Sequence, residues 1–172
     1  LTPVDVPLFR PATVSRLLDR RAQKDAPPII YPAFSGERGH PPCCDAAVII
    51  PAVLAHTGEG GLRQALAAFP FEELPVPDAN ILADMDTPED YAILRTLALR
   101  RDIPTPAEAE ALLAIEQVSP QGLAHGRGVA AVAVALGRAL VDAGEQLDIP
   151  LIKAAALVHD VAKGRSAHET EG

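Results

Sequence analysis

The stretch Asp102-Ile103-Pro104-Thr105-Pro106 decides how this 172-residue chain is read. Proline fixes its own φ and pushes the residue before it out of the helical region, so two prolines one residue apart make a stiff break. The hydrophobic period differs on its two sides. Upstream, short apolar segments suited to strands alternate with helical patterns; downstream, every segment has helical spacing. We therefore expect a boundary at 103–106, an α/β domain over 1–102 and an all-α domain over 107–172.

Just upstream, Asp86-Thr87-Pro88-Glu89-Asp90 opens a helix that runs through Tyr91, Leu94, Leu97 and Ala98 to Arg100 and Arg101. Asp or Thr accepts a free backbone N–H there, proline suits the first turn, and acids face the positive end of the helix dipole. Pro11-Ala12-Thr13 opens an earlier helix, ending near Lys24, with Val14, Leu17 and Leu18 at helical spacing. Gly60-Gly61 opens another, with Leu62, Ala65, Leu66 and Phe69 on its buried face. Ile29-Ile30-Tyr31, Val76 and Ile81-Leu82-Ala83 read as short strands, and Pro3 to Phe9 as a strand end and turn. Cys43 to His56 fits either state. Such alternation predicts a parallel sheet covered by helices. Downstream of the break, helices are expected at about 107–117, 120–142 and 150–162.

Composition bounds the function. Fifteen Lys plus Arg against 23 Asp plus Glu give a net charge of −8 and a pI near 5.0, with no basic face for coating a nucleic acid. Apolar residues at 48% and charged ones at 22% suit a folded core, and aromatics at 3% leave it to Ala, Leu, Val and Ile. The two cysteines, Cys43 and Cys44, are adjacent and cannot staple distant segments. They are expected to be small buried residues. With no uncharged apolar run of about 18 residues, no membrane span is expected, and the reading is a cytoplasmic protein. The strand-like start at Leu1 and the stop at Gly172 close behind a helix suggest a piece cut inside structure at both ends.

Asp5 lies between Pro3 and Pro7 at the end of an apolar stretch, where an open sheet presents ligand-binding groups. A carboxylate there suits Mg²⁺, which bridges the phosphate oxygens an acidic protein would repel. The plain alternative is a turn-forming Asp bonded to its own backbone. Further along come Gly36-Glu37-Arg38-Gly39-His40-Pro41 and Leu82-Ala83-Asp84-Met85-Asp86-Thr87-Pro88-Glu89-Asp90.

With Pro3-Val4-Asp5-Val6-Pro7-Leu8, these motifs resemble the molybdenum cofactor cytidylyltransferase family of MobA-like NTP transferases, across nearly all of residues 1–100. The resemblance implies the C-terminal half of a Rossmann-like three-layer α/β sandwich. It implies transfer of a nucleotidyl group from CTP, or another nucleoside triphosphate, to a pterin-type molybdopterin, with molybdoenzyme apoproteins as further partners. On that likeness Asp5 is the catalytic magnesium ligand, Asp84 or Asp86 a second acidic group near it, and Gly39, His40 and Pro41 line the acceptor side. The glycine-rich basic loop that holds the triphosphate in that family is absent from this sequence. Gly58-Glu59-Gly60-Gly61 is a helix entry with Glu59 set against phosphate. This chain alone is therefore expected to be inactive as a transferase.

In the downstream part, His125 precedes Val129, Val132, Leu136 and Leu140 at increments of 4, 3, 4 and 4, which places it on the face expected to be buried. Ile152, Ala155, Ala156 and His159 share a face of the next helix, so His159 is expected to point inward beside Asp160. Two such imidazoles and a carboxylate suit a divalent Zn, Fe or Mn ion; the plain alternative is two satisfied core histidines. The run Ala154-Ala155-Ala156-Leu157-Val158-His159-Asp160-Val161-Ala162-Lys163-Gly164 is similar to the HD superfamily of metal-dependent phosphohydrolases. That resemblance, over about 120–170, implies the N-terminal part of an HD-type helical domain. His125, His159 and Asp160 would be metal ligands, Lys163 would meet a substrate phosphate, and His168 would be a further ligand or phosphate contact. A later Asp needed to close the site does not occur in the sequence. Two functions remain open: a bifunctional enzyme joining nucleotidyl transfer to phosphohydrolysis, or a transferase carrying a helical module that binds a nucleotide or metal and regulates.

Overall fold

The computed structural model describes residues 2–162, and the chain divides into two units, Leu1–Thr96 and Leu97–Gly172. Lys163 and His168 lie outside the described residues. The proline-rich break falls inside the second unit, directly before its first full helix.

The first unit runs α1 (Pro11–Arg21), β1 (Ile29–Phe34), β2 (Glu37–Arg38), β3 (Cys43–Cys44), α2 (Ala46–Ala55), α3 (Gly61–Leu66), β4 (Phe71–Pro75), a 3₁₀ turn (Ala79–Leu82) and α4 (Pro88–Ala98). β1 is central. On one edge it pairs in parallel with β4, from Ile29 opposite Phe71 to Ala33 opposite Pro75. Its other edge takes β2 at Ala33–Phe34 and β3 at Ile29–Ile30, both antiparallel.

The expected all-parallel sheet is thus a mixed one. The cause is local: Ser35 and Gly36 both have positive φ, 52° and 84°, the two-residue hairpin that folds β2 straight back onto β1. Pro32 is tolerated in the central strand because its polar edge faces the gap between β2 and β3, where its carbonyl accepts the Gly39 N–H at 2.8 Å.

Two more strand expectations are corrected. Val76 lies just beyond β4, and Ile81-Leu82 form the 3₁₀ turn, because the Asp78 carboxylate accepts the Asn80 N–H and caps it. Residues 3–9 form no strand, and Asp5 sits in an exposed bend rather than at a strand end. Pro3 and Pro7 remove two of the N–H donors a ladder there would need. Cys43 and Cys44 are half-buried, and desolvation pushes both thiols up. Leu17, Ile29, Ile30, Val76 and Ile81 form the buried centre. The Arg20 guanidinium holds α1 to β4 through a bidentate bond to Glu72, with Nη2 to Oε2 at 2.7 Å.

The second unit contains α5 (Pro106–Ile115), α6 (Pro120–Asp142) and α7 (Ile149–Val158), each with proline in its first turn and a side-chain cap. Thr105 and Glu108 form a reciprocal capping box, Ser119 accepts the Gly122 N–H, and Asp148 accepts the Leu151 N–H. α6, at 23 residues, is long and apolar enough to cross a bilayer, yet it carries Arg127 and Arg138 and packs along one side on α7.

That packing side is not the expected one. Gly126, Ala130 and Gly137 are buried, whereas Val132, Leu136 and Leu140 are exposed at 60%, 62% and 49%. On α7 the buried residues are Ala154 and Leu157, and Ala155 is exposed. Small residues let the two backbones approach, and a stripe of leucine would hold them apart.

Two caps carry a pH prediction. Asp90 accepts the Thr87 hydroxyl at 2.7 Å and the Thr87 N–H at 2.9 Å, and these bonds hold its carboxyl below the usual range. Asp148 is lowered by the Leu151 N–H and by Arg100, whose Nη2 lies 2.9 Å away. A depressed folded-state value means that the stabilising contribution is full above about pH 4, the unfolded-state value, and is lost as pH falls through the lowered one. Carboxyl-carbon NMR titration is expected to give both midpoints below that of an ordinary aspartate.

Candidate functional site

In the first unit, Gly39-His40-Pro41 is pinned to the 3₁₀ turn. The His40 N–H donates to the Ile81 carbonyl at 2.9 Å, and the His40–Pro41 bond is cis. Gly39 is buried directly against Ile81: a Cβ at position 39 would run into the Ile81 carbonyl oxygen, so only glycine fits. Pro41 is buried and His40 exposed, which leaves the imidazole outside a rigid backbone.

The residue that ties this region together is one that sequence reasoning missed. Asp78, 1% exposed, accepts the Arg10 N–H and the Thr13 hydroxyl on Oδ2, at 2.7 and 2.6 Å. Its Oδ1 accepts the backbone and side-chain amides of Asn80, both at 3.2 Å. One oxygen holds the start of α1, just after the Asp5 bend. The other holds the turn that grips Gly39 and His40. Asp5, Asp84 and Asp86 are all exposed, and among the described residues they do not form a close three-ligand group. Mg²⁺ ordinarily takes only one or two carboxylates and completes its shell with phosphates and water, so an exposed Asp5 still suits it.

In the second unit, one ligand atom each of His125, His159 and Asp160 lies within 4.8 Å of the others. His125 Nε2 is 3.5 Å and His159 Nε2 3.4 Å from Asp160 Oδ2, and the two rings are 5.3 Å apart. α6 supplies the first ring from its second turn. The second ring and the carboxylate come from the C-terminal end of α7. His159 Nδ1 lies 2.8 Å from the Ala156 carbonyl, which only accepts. In the neutral ring the hydrogen therefore sits on Nδ1, and the Nε2 lone pair is directed to the shared position. The inward placement expected for the histidines is corrected: the His125 side chain is 51% exposed and that of His159 35%, so the group sits at the rim of the helix pair. The reason is the same small-residue face, which turns the aliphatic stripe following His125 outward. Two imidazole nitrogens and a carboxylate oxygen fit a divalent transition ion, with positions left open for water or substrate.

Similarity to a known family covers part of the first unit. Residues 1–76 match the MobA-like NTP transferase domain. No curated protein and no solved structure matches the chain. The likeness is to a nucleotidyltransferase-type domain, whose substrate class is a nucleoside triphosphate, and it spans less than half of the chain. It includes Asp5 and the Gly39-His40-Pro41 loop and ends before Asp84 and Asp86.

Proposed function

We propose that this chain belongs to a bifunctional protein that transfers a nucleotidyl group from CTP, or another nucleoside triphosphate, to a molybdopterin-type pterin and hydrolyses a phosphate ester at a second, metal-dependent site. The MobA-like match supports the first activity. For the second, the carrying observation is the convergence of His125, His159 and Asp160.

Asp5, exposed before α1, is proposed to hold Mg²⁺ on the triphosphate, with Asp84 or Asp86 as a further acidic group. His40, on its fixed backbone, would meet the acceptor. At the second site a bound divalent ion would supply a water of lowered pKa at neutral pH. There His159 Nε2, fixed through Ala156, and the Asp160 carboxylate would hold the ion while the open side admits a phosphate. Lys163 and His168 are the further candidates for that phosphate. Among the described residues three protein ligands gather, and a three-ligand set is the pattern of a catalytic centre rather than a closed structural one, which favours turnover over a purely regulatory module.

In the intact protein, CTP and molybdopterin with Mg²⁺ should release pyrophosphate, and Asp5→Ala should abolish that release. An unchanged rate would remove Asp5 from the mechanism. Metal-dependent phosphate release from nucleotides or phosphate monoesters separates the hydrolase from the regulatory reading: binding without turnover would favour the latter.

A further inference from the structure

Gly126 follows His125 directly in α6, and Leu157 stands two residues before His159 in α7. A Cβ built at position 126 would lie 2.9 Å from the Leu157 carbonyl oxygen, closer than real Cβ atoms come. The obstacle is backbone, within the last turn of α7, and it has no rotamer by which to move away. Gly137 makes a useful contrast on the same helix. A Cβ there would meet the Cδ1 atoms of Ile149 and Ile152, at 2.9 and 3.3 Å, which are the far ends of side chains that can rotate.

We propose that Gly126 is a positioning residue of the His125–His159–Asp160 group: its missing side chain sets the helix separation at which the three ligand atoms meet. This rests on the metal-site reading for its ligand but on backbone geometry for its cause. The group is narrow. With Nε2 atoms 3.5 and 3.4 Å from one carboxylate oxygen, a shift of α7 by a fraction of an ångström at Leu157 passes directly to His159 and Asp160. Ala156, whose carbonyl fixes the His159 ring, lies in the same turn and moves with it. The cost of Gly126→Ala should therefore appear in metal affinity ahead of helix content, since alanine is the better helix former.

The test uses Co²⁺ alone as the probe, followed by its visible absorption on titration into the whole chain. Gly126→Ala is expected to weaken Co²⁺ binding by roughly 10- to 100-fold, the range seen when groups supporting metal ligands are changed. Gly137→Ala is expected to stay within about twofold of wild type, with far-ultraviolet circular dichroism showing full helix in both. In metal-free protein, NMR cross-relaxation between the His125 and His159 ring protons should be present in wild type and Gly137→Ala and lost in Gly126→Ala. Wild-type affinity and an intact cross-peak in Gly126→Ala would overturn the inference. If Gly126→Ala fails to fold, Ala130→Val decides it. Ala130 packs on Leu157 and Ala109 one turn further along α6, and unchanged Co²⁺ affinity there would count equally against the proposal. If wild type itself takes up no Co²⁺, the metal reading fails, and the ring cross-peak still settles whether Gly126 sets the spacing.

Discussion

Asp78→Ala is expected to destabilise the first unit by about 3–5 kcal/mol, a large share of the roughly 5–15 kcal/mol a domain commonly has. Asp78 has no hydrophobic role to lose. Its removal takes the acceptor from four donors: the Thr13 hydroxyl and the two Asn80 amides in buried surroundings, and the Arg10 N–H at the first turn of α1. Arg10 supplies no side-chain cap to its own helix, so the carboxylate arriving from 68 residues away serves as one. Asp78→Asn keeps the shape and one acceptor oxygen but turns an amide NH₂ toward donors, and should cost about 1–3 kcal/mol. Both tyrosines of the chain, Tyr31 and Tyr91, lie in the first unit, so tyrosine fluorescence during urea unfolding follows that unit. A loss below about 1 kcal/mol for Asp78→Ala would mean that water replaces the carboxylate and that the network does not hold α1 to the 3₁₀ turn.

Asp78 also shows where sequence reading stops. Its bonds to Asn80 follow from a local Asx pattern, while those to Arg10 and Thr13 depend on where the chain returns, which no local pattern records. The elements that were legible are those with local causes. α5 and α6 begin where Thr105 and Ser119 directly precede proline, α7 where Asp148 stands two residues before Pro150, and α4 where Thr87 meets Asp90. β4 is not legible: Phe71-Glu72-Glu73-Leu74-Pro75 is acidic and ends in proline, and its acids are held by Arg20 and Arg38 from other elements. The buried face of α6 was misread for another reason. Hydrophobicity singled out Val132, Leu136 and Leu140, but contact with α7 is decided by how near the backbones come, and that favours Gly126, Ala130 and Gly137. The histidines and aspartate stand together at the helix rim, in a more exposed position than the stripe implies.

His159→Ala is expected to abolish binding of a divalent transition ion at the second site, as read by elemental analysis and Co²⁺ titration. The loss should exceed the roughly 10- to 100-fold that attends changes behind the ligands, because it removes one of the three donor groups gathered there among the described residues. His125→Ala should act alike, since its Nε2 approaches the same Asp160 oxygen from the opposite helix. Asp160→Asn separates charge from shape: the carbonyl oxygen remains, but the negative charge that offsets the cation is gone, so affinity should fall with little effect on folding. The surface pair Arg127–Glu110, 3.0 Å apart between α6 and α5, supplies the control. Glu110→Gln alters a half-exposed ion pair worth no more than about 1 kcal/mol and should leave metal content unchanged. If His125→Ala and His159→Ala both retain wild-type metal, the convergence of these side chains is a histidine–aspartate contact at a helix end, and the hydrolase half of the proposal falls.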